Sequence, residues 1–198
     1  MHSLIVQFSK SRISAGHLPF NSWFPYLSLG SPFLAHYQST PGVLTGLLAQ
    51  LIGAQRAFEW SLYLLLALWP LSVYIGGRLL GWNQWESAAA SAVAPLINNV
   101  VGYGFGHQAY VWIGDGLWTQ LWGMWLLPIT WGLTWRAISR GQYRFGAIVS
   151  MALIVTFHFL TAYLAGLTVI VWILLRPSQF VMRLRRTLFI AVGVGLIT

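Results

Sequence analysis

The sequence predicts an all-α chain, a polytopic integral membrane bundle crossing the bilayer about five or six times. Three observations carry that expectation. Only 7% of residues are charged while 57% are hydrophobic, and mean hydropathy is +0.67. A water-facing domain usually carries about 25% charged residues, so this chain cannot clothe a solvated surface. Several apolar runs approach the ~20 residues that cross ~30 Å of hydrocarbon. Twelve tryptophans punctuate those runs, and indoles favour the boundary between headgroups and acyl chains.

The formal charge of +8 reads as topology. Ten of the eleven basic residues are Arg, several in short clusters between apolar runs, as in cytoplasmic loops under the positive-inside rule. A nucleic-acid binder needs a solvated basic face, which this chain has too little polar sequence to build. The absence of Cys excludes disulfides, thiolate catalysis and Cys-based metal sites. Residues 1–20 do not form a signal peptide.

Along the chain, residues 3–14 place Leu4, Ile5 and Phe8 on one face of a short interfacial helix. Residues 15–42 contain Pro19, Pro25, Pro32 and Pro41 with Gly16, Gly30 and Gly42, a spacing that forbids a long helix and predicts an aromatic, structured loop. Residues 43–54 suit a short helix at the bilayer edge. Phe58–Leu80 is the first predicted span, kinked at Pro70, and Ala88–Phe105 the second. After the polar loop 106–116, Leu117–Trp135 is the third.

Phe145–Leu175 holds about 31 residues, too many for one crossing and too few for two full ones. The basic stretches Arg136–Arg144 and Arg176–Arg186 should share one side, so an even number of passes must separate them. The run is therefore predicted to be a tight hairpin turning near His158, with Leu188 onward beginning a sixth span. This divides the chain into an external segment, 1–57, and a helical bundle, 58–198. It gathers the aromatic loop, Glu59, His107, Asp115 and His158 on the external face. Because Leu188–Thr198 stops short of spanning length and the chain opens on a loop-side segment, it is expected to be a fragment truncated at both ends.

Three residues are candidates for binding a ligand there. Asp115, between Gly114 and Gly116, is the only Asp of the chain; it suits a base or a contact to a cation or a sugar hydroxyl, and it also suits a helix N-cap. His158 lies in an apolar run, where ionisable groups usually face a cavity or a partner; a backbone-bonded neutral His is the other reading. Tyr37, beside His36 and Gln38, suits sugar stacking or simple loop packing. The Gly102–Gly106 run lacks the strand and Lys of a phosphate loop, and the five His residues show no metal-ligand spacing.

The segment G-H-L-P-F-N-S-W-F-P-Y-L-S-L-G-S-P-F-L-A-H-Y-Q, Gly16–Gln38, resembles the aromatic stretch that follows the first external loop of certain GT-C-type membrane proteins. It is most similar to the prokaryotic membrane domain related to 6-pyruvoyl-tetrahydropterin synthase, and to YfhO-like membrane proteins. G-D-G-L-W-T-Q-L-W (Gly114–Trp122) and F-H-F-L-T-A-Y-L (Phe157–Leu164) resemble the same group. The resemblance implies a glycosyltransferase in a prokaryotic plasma membrane, transferring sugar from a polyprenyl-phosphate donor at the external face. No pterin chemistry is implied. Its partners would be membrane lipid and a lipid-linked sugar. Tyr37, Asp115, Gln120 and His158 would line the cavity. The catalytic acid of such enzymes would fall upstream of Met1, and a divalent cation would belong to the full-length protein. The alternatives are a transporter or flippase of lipid-linked saccharide, which predicts polar groups spread through the bilayer depth, and a non-catalytic scaffold subunit.

Overall fold

The computed structural model describes residues 2–26, 29–36, 38–96 and 118–198. Tyr37, Asn98, Asn99, the Gly102–Gly106 run, His107 and Asp115 lie outside the described residues. Among the described residues the regular structure is helical, with one isolated bridge between Phe24 and Ser31. The all-α expectation holds.

The helices are α1 (His2–Ser14), α2 (Phe33–His36), α3 (Thr40–Ile52), α4 (Ala54–Ala67), α5 (Trp69–Leu80), α6 (Gln84–Val93), α7 (Trp118–Arg140), α8 (Arg144–Phe157), α9 (Phe159–Leu174) and α10 (Phe180–Gly195). In the Pro-rich loop, Pro19 opens a single 3-10 turn and Pro41 sits in the first turn of α3, where a missing N–H costs nothing. Phe24 is fully buried between Phe8 and Phe33, so the loop is packed, as its aromatic content predicts.

The first predicted span is two helices. It breaks at Leu68, two residues before Pro70, and bends by 47°. The expected boundary between residues 57 and 58 falls inside α4, which begins at Ala54. The second predicted span begins earlier than its apolar residues do. Asn83 accepts from the backbone N–H groups of Trp85 and Glu86, and the Glu86 carboxylate takes the Asn83 N–H at 2.8 Å. This capping box starts α6 at Gln84. Asn83→Ala should cost about 1 kcal/mol, read as a lower unfolding temperature of the purified protein.

α7 is the central helix, 23 residues and about 35 Å long. It extends past Trp135 to Arg140, because its arginines continue the helix until Gly141 (φ +72°) and Tyr143 (φ +57°) turn the chain into α8. α4 and α5 run parallel to α7: Trp118 Nε1 donates to Ser61 Oγ (3.0 Å), Trp125 Nε1 to the Leu68 carbonyl (3.1 Å) and Arg136 Nε to the Leu79 carbonyl (2.6 Å). α6 returns antiparallel to α5, with Ser91 Oγ donating to the Pro70 carbonyl at 2.6 Å.

The Phe145–Leu175 run is the expected hairpin. α8 ends at Phe157, His158 is extended, and α9 starts at Phe159. Leu127 of α7 packs with both Ile154 before the turn and Ala165 after it, and Ile138 packs with Val169 and Ile173. α9 thus runs parallel to α7, with α8 antiparallel to both. α10 turns back again. It starts at Phe180, eight residues before the predicted sixth span, so that Arg183, Arg185 and Arg186 are helical. Arg186 Nη1 donates to the carbonyls of Ile138 (3.0 Å) and Ser139 (2.9 Å), closing the C-terminus of α7. The two arginine-bearing connections therefore meet at one end of the bundle. With Arg78 at the end of α5, that end collects eight of the chain's eleven basic residues: Arg78, Arg136, Arg140, Arg144, Arg176, Arg183, Arg185 and Arg186.

Among the described residues no single helix is long and apolar enough to cross a membrane by itself. α7 has the length, and its tryptophans and central Pro128 lower its hydropathy. Two bent pairs reach spanning length and composition, α4 with α5 and α9 with the segment Pro177–Gly195, the second bent by 100°.

Candidate functional site

The end of the bundle opposite the arginines is organised by Trp118, which is 2% exposed. Its ring lies 5.8 Å from His2, 5.4 Å from Phe58 and 6.2 Å from Trp122, and Trp122 continues to Phe157 at 5.4 Å. Edge-on aromatic packing of this kind fixes α1, α4, α7 and α8 against one another. Burial among these rings pushes the His2 pKa below the ordinary imidazole value, which keeps that ring neutral at pH 7.

Next to Trp118, Thr119 Oγ1 donates to Gln38 Oε1 and so ties the aromatic loop to the first turn of α7. This contact holds one wall of a groove of about 520 Å³. Phe20, Asn21, Leu34, Gln38, Ser39 and Thr40 come from the loop and the start of α3; Val155 and Thr156 come from α8; Ile197 and Thr198 follow α10. Among the described residues its polar groups are amides and hydroxyls, with no charged side chain in the lining. Such a lining hydrogen-bonds a neutral polyhydroxylated ligand without the desolvation cost of a buried charge. The donor set of the described lining, amides and hydroxyls, does not fit a divalent cation. Among the described residues no three His, Cys, Asp or Glu side chains converge on one point.

A second cavity, about 300 Å³, opens between α8, α9 and α10. Met151, Val155, Ala162, Val169, Ile170 and Ile190 make it apolar, with Thr134 and Thr187 at its wall. Val155 lines both cavities, so the polar groove and the apolar crevice adjoin.

Of the four candidates, Tyr37 and Asp115 lie outside the described residues. Gln120 is half-buried in the first turn of α7. His158 is 4% exposed and caps α9: its Nδ1 accepts the Thr161 N–H at 3.3 Å and lies 2.8 Å from Thr161 Oγ1. Gly123, one turn beyond Gln120, lets α7 approach that turn, since a Cβ there would stand 3.0 Å from His158 Cβ. Gln120 and His158 therefore belong to the same end of the bundle. The groove-lining Asn21, Ser39 and Thr156 were not candidates. Ser39 and Thr40 read as an ordinary helix start before Pro41, and Thr156 is a lone hydroxyl in an apolar run whose Oγ1 bonds the Leu153 carbonyl at 3.1 Å.

Comparison of the chain with models of known protein families, with curated proteins and with solved structures finds no match.

Proposed function

We propose that the chain is part of a membrane-embedded helical bundle that binds a sugar-bearing lipid at its arginine-poor end. The observation that carries this reading is the junction at Val155 of an uncharged polar groove with an apolar crevice. A ligand filling both is amphipathic, with a neutral hydrogen-bonding head and a long hydrocarbon tail. The sugar and the tail of a polyprenyl-phosphate-linked sugar match these two parts, with its anionic phosphate lying between them; it is the ligand the sequence resemblance implies, with transfer of the sugar at the external face as the activity.

Placement in a bilayer is supported by α9. Every exposed side chain of that helix is apolar: Phe159, Leu160, Tyr163, Leu164, Leu167, Ile170, Val171 and Leu174. An unbroken apolar face about 24 Å long is far larger than a monomeric soluble protein leaves in water. The clustering of eight arginines at one end supplies the orientation, with that end cytoplasmic.

Radiolabelled sugar transfer by the full-length protein in membranes tests the activity. Wild type is expected to transfer sugar from a polyprenyl-phosphate donor. Asn21→Ala and Gln38→Ala should each lower transfer about three- to tenfold, the worth of one neutral hydrogen bond. Asp115→Ala and His158→Ala should lower it as well. Donor crossing the bilayer without transfer would replace the transferase by a flippase; neither transfer nor donor binding would leave a scaffold. The orientation has its own check, since the chain contains no Cys. Single cysteines at Gln142 and Ser178 should label from one side of sealed vesicles, and one at Ala35 from the other. Labelling of 142 and 178 from different sides would remove the shared face on which the site depends.

A further inference from the structure

The arginine-rich end contains a pocket that the sugar-lipid reading does not use. It measures about 530 Å³ and lies between the start of α8 and the first turns of α10, lined by Arg144, Met182, Arg185, Arg186 and Phe189. We propose that it binds the phosphate of an anionic phospholipid from the cytoplasmic leaflet.

The first argument is charge. Three guanidinium groups line the pocket, and among the described residues no carboxylate does. The two described glutamates are engaged elsewhere: Glu86 closes the capping box with Asn83, and Glu59 accepts from Gln55 at the far end of the bundle. The second is convergence. Arg144 Nη2 lies 3.1 Å, and Arg186 Nη2 3.5 Å, from the point where a Cβ on Gly141 would stand. Arg186 Nη1 is held by the carbonyls at the end of α7, its Nη2 meets that of Arg144 beside one point, and guanidinium forks match the oxygen spacing of phosphate. The Arg144 guanidinium also rests 5.8 Å from the centroid of the Phe189 ring, which holds it in place while leaving its donors directed elsewhere.

The third argument separates a lipid from a free phosphate. Below exposed Arg185, the same face of α10 presents Leu188, Phe189, Val192 and Leu196, all exposed. That stripe runs about 12 Å along the helix and its end, enough to accompany the upper part of an acyl chain. A charged headgroup site continuous with an apolar stripe is the arrangement by which inner-leaflet basic pockets hold acidic lipids.

The proposal rests on the membrane-embedded reading. Native mass spectrometry of the detergent-purified full chain tests it, with phosphatidylglycerol, phosphatidylcholine and inorganic phosphate as separate probes. The expected result is retention of phosphatidylglycerol about ten- to hundredfold more tightly than phosphatidylcholine, with inorganic phosphate failing to compete at equal concentration. Arg144→Gln with Arg185→Gln should bring phosphatidylglycerol down to the phosphatidylcholine level. Arg185→Gln alone, at an exposed position, should lose part of the preference and keeps the test valid where the double variant does not fold. Equal retention of the two lipids, unchanged phosphatidylglycerol binding in both variants, or full competition by inorganic phosphate would each overturn the site while leaving the membrane reading in place. A chain that stays dispersed without detergent and retains neither lipid would overturn both.

Discussion

Gly76→Ala is expected to loosen the contact between α5 and α7, lowering stability by about 1–3 kcal/mol. An added Cβ at 76 would stand 2.6 Å from the Pro128 carbonyl oxygen and 2.7 Å from its carbon. Those are backbone atoms of the central helix and cannot rotate away. α5 would have to retreat, and with it four hydrogen bonds would stretch: Ser72 Oγ to the Trp125 carbonyl, Trp125 Nε1 to Leu68, and Arg136 to Leu79 and Arg78. The facing Gly132 is equally confined, its Cβ position lying 2.3 Å from Leu79 Cβ. Close helix approach through small residues is how apolar helices associate without a hydrophobic drive between them. Gly166→Ala is the matched control. It has nothing within 4 Å of its Cβ position, so the helical preference for alanine should raise stability by about 0.5–1 kcal/mol. Thermal unfolding of the two variants in detergent, followed by Trp fluorescence, should move in opposite directions. Equal stability of Gly76→Ala and wild type would mean that α5 does not lie on α7 as described.

Much of this architecture was legible from coarse signals. The kink followed from Pro70 itself, and the hairpin at His158 and the convergence of the two arginine clusters from run length and charge parity, none of which depends on detailed packing. Helix starts were less legible. α10 begins at Phe180 because arginines are good helix formers whose heads bond the carbonyls of α7 and α9, whereas hydropathy alone dates a span from its first long apolar stretch at Leu188. α6 begins at Gln84 because a polar capping box, invisible to hydropathy, nucleates it. The groove was legible only in part. Its loop wall announces itself through the Pro and aromatic content around Gln38. Its other wall carries only the hydroxyls of Thr156 and Thr198, which the packing of α8 and the end of α10 beside the loop brings opposite Asn21 and Gln38. Local sequence carries no signal for that packing.

Arg183 ties the basic end of the bundle together, and its replacement should be the most damaging of the single arginine changes there. It is 1% exposed, unlike Arg185 two residues on, which is exposed. Its Nη1 donates to the Trp172 carbonyl at 2.6 Å, its Nε to Gln179 Oε1 at 3.3 Å, and its guanidinium lies 5.1 Å from the centroid of the Trp135 ring. The side chain thereby joins the end of α9, the start of α10 and the last turns of α7. Trp135 in turn packs on Trp172 at 5.3 Å. Arg183→Ala removes a charge-assisted hydrogen bond worth about 1.5–3 kcal/mol and a cation–π contact worth about 0.5–2 kcal/mol, and leaves the Trp172 carbonyl buried without its donor. A loss of about 2–4 kcal/mol is expected on these terms. Arg183→Lys should recover only part of it, because an ammonium cannot stack its plane on Trp135 while reaching both acceptors. Arg185→Ala should stay within about 0.5 kcal/mol of wild type. Unfolding of the three purified variants measures this order. If Arg183→Ala matches Arg185→Ala, the guanidinium is solvated and α10 does not close the bundle through it.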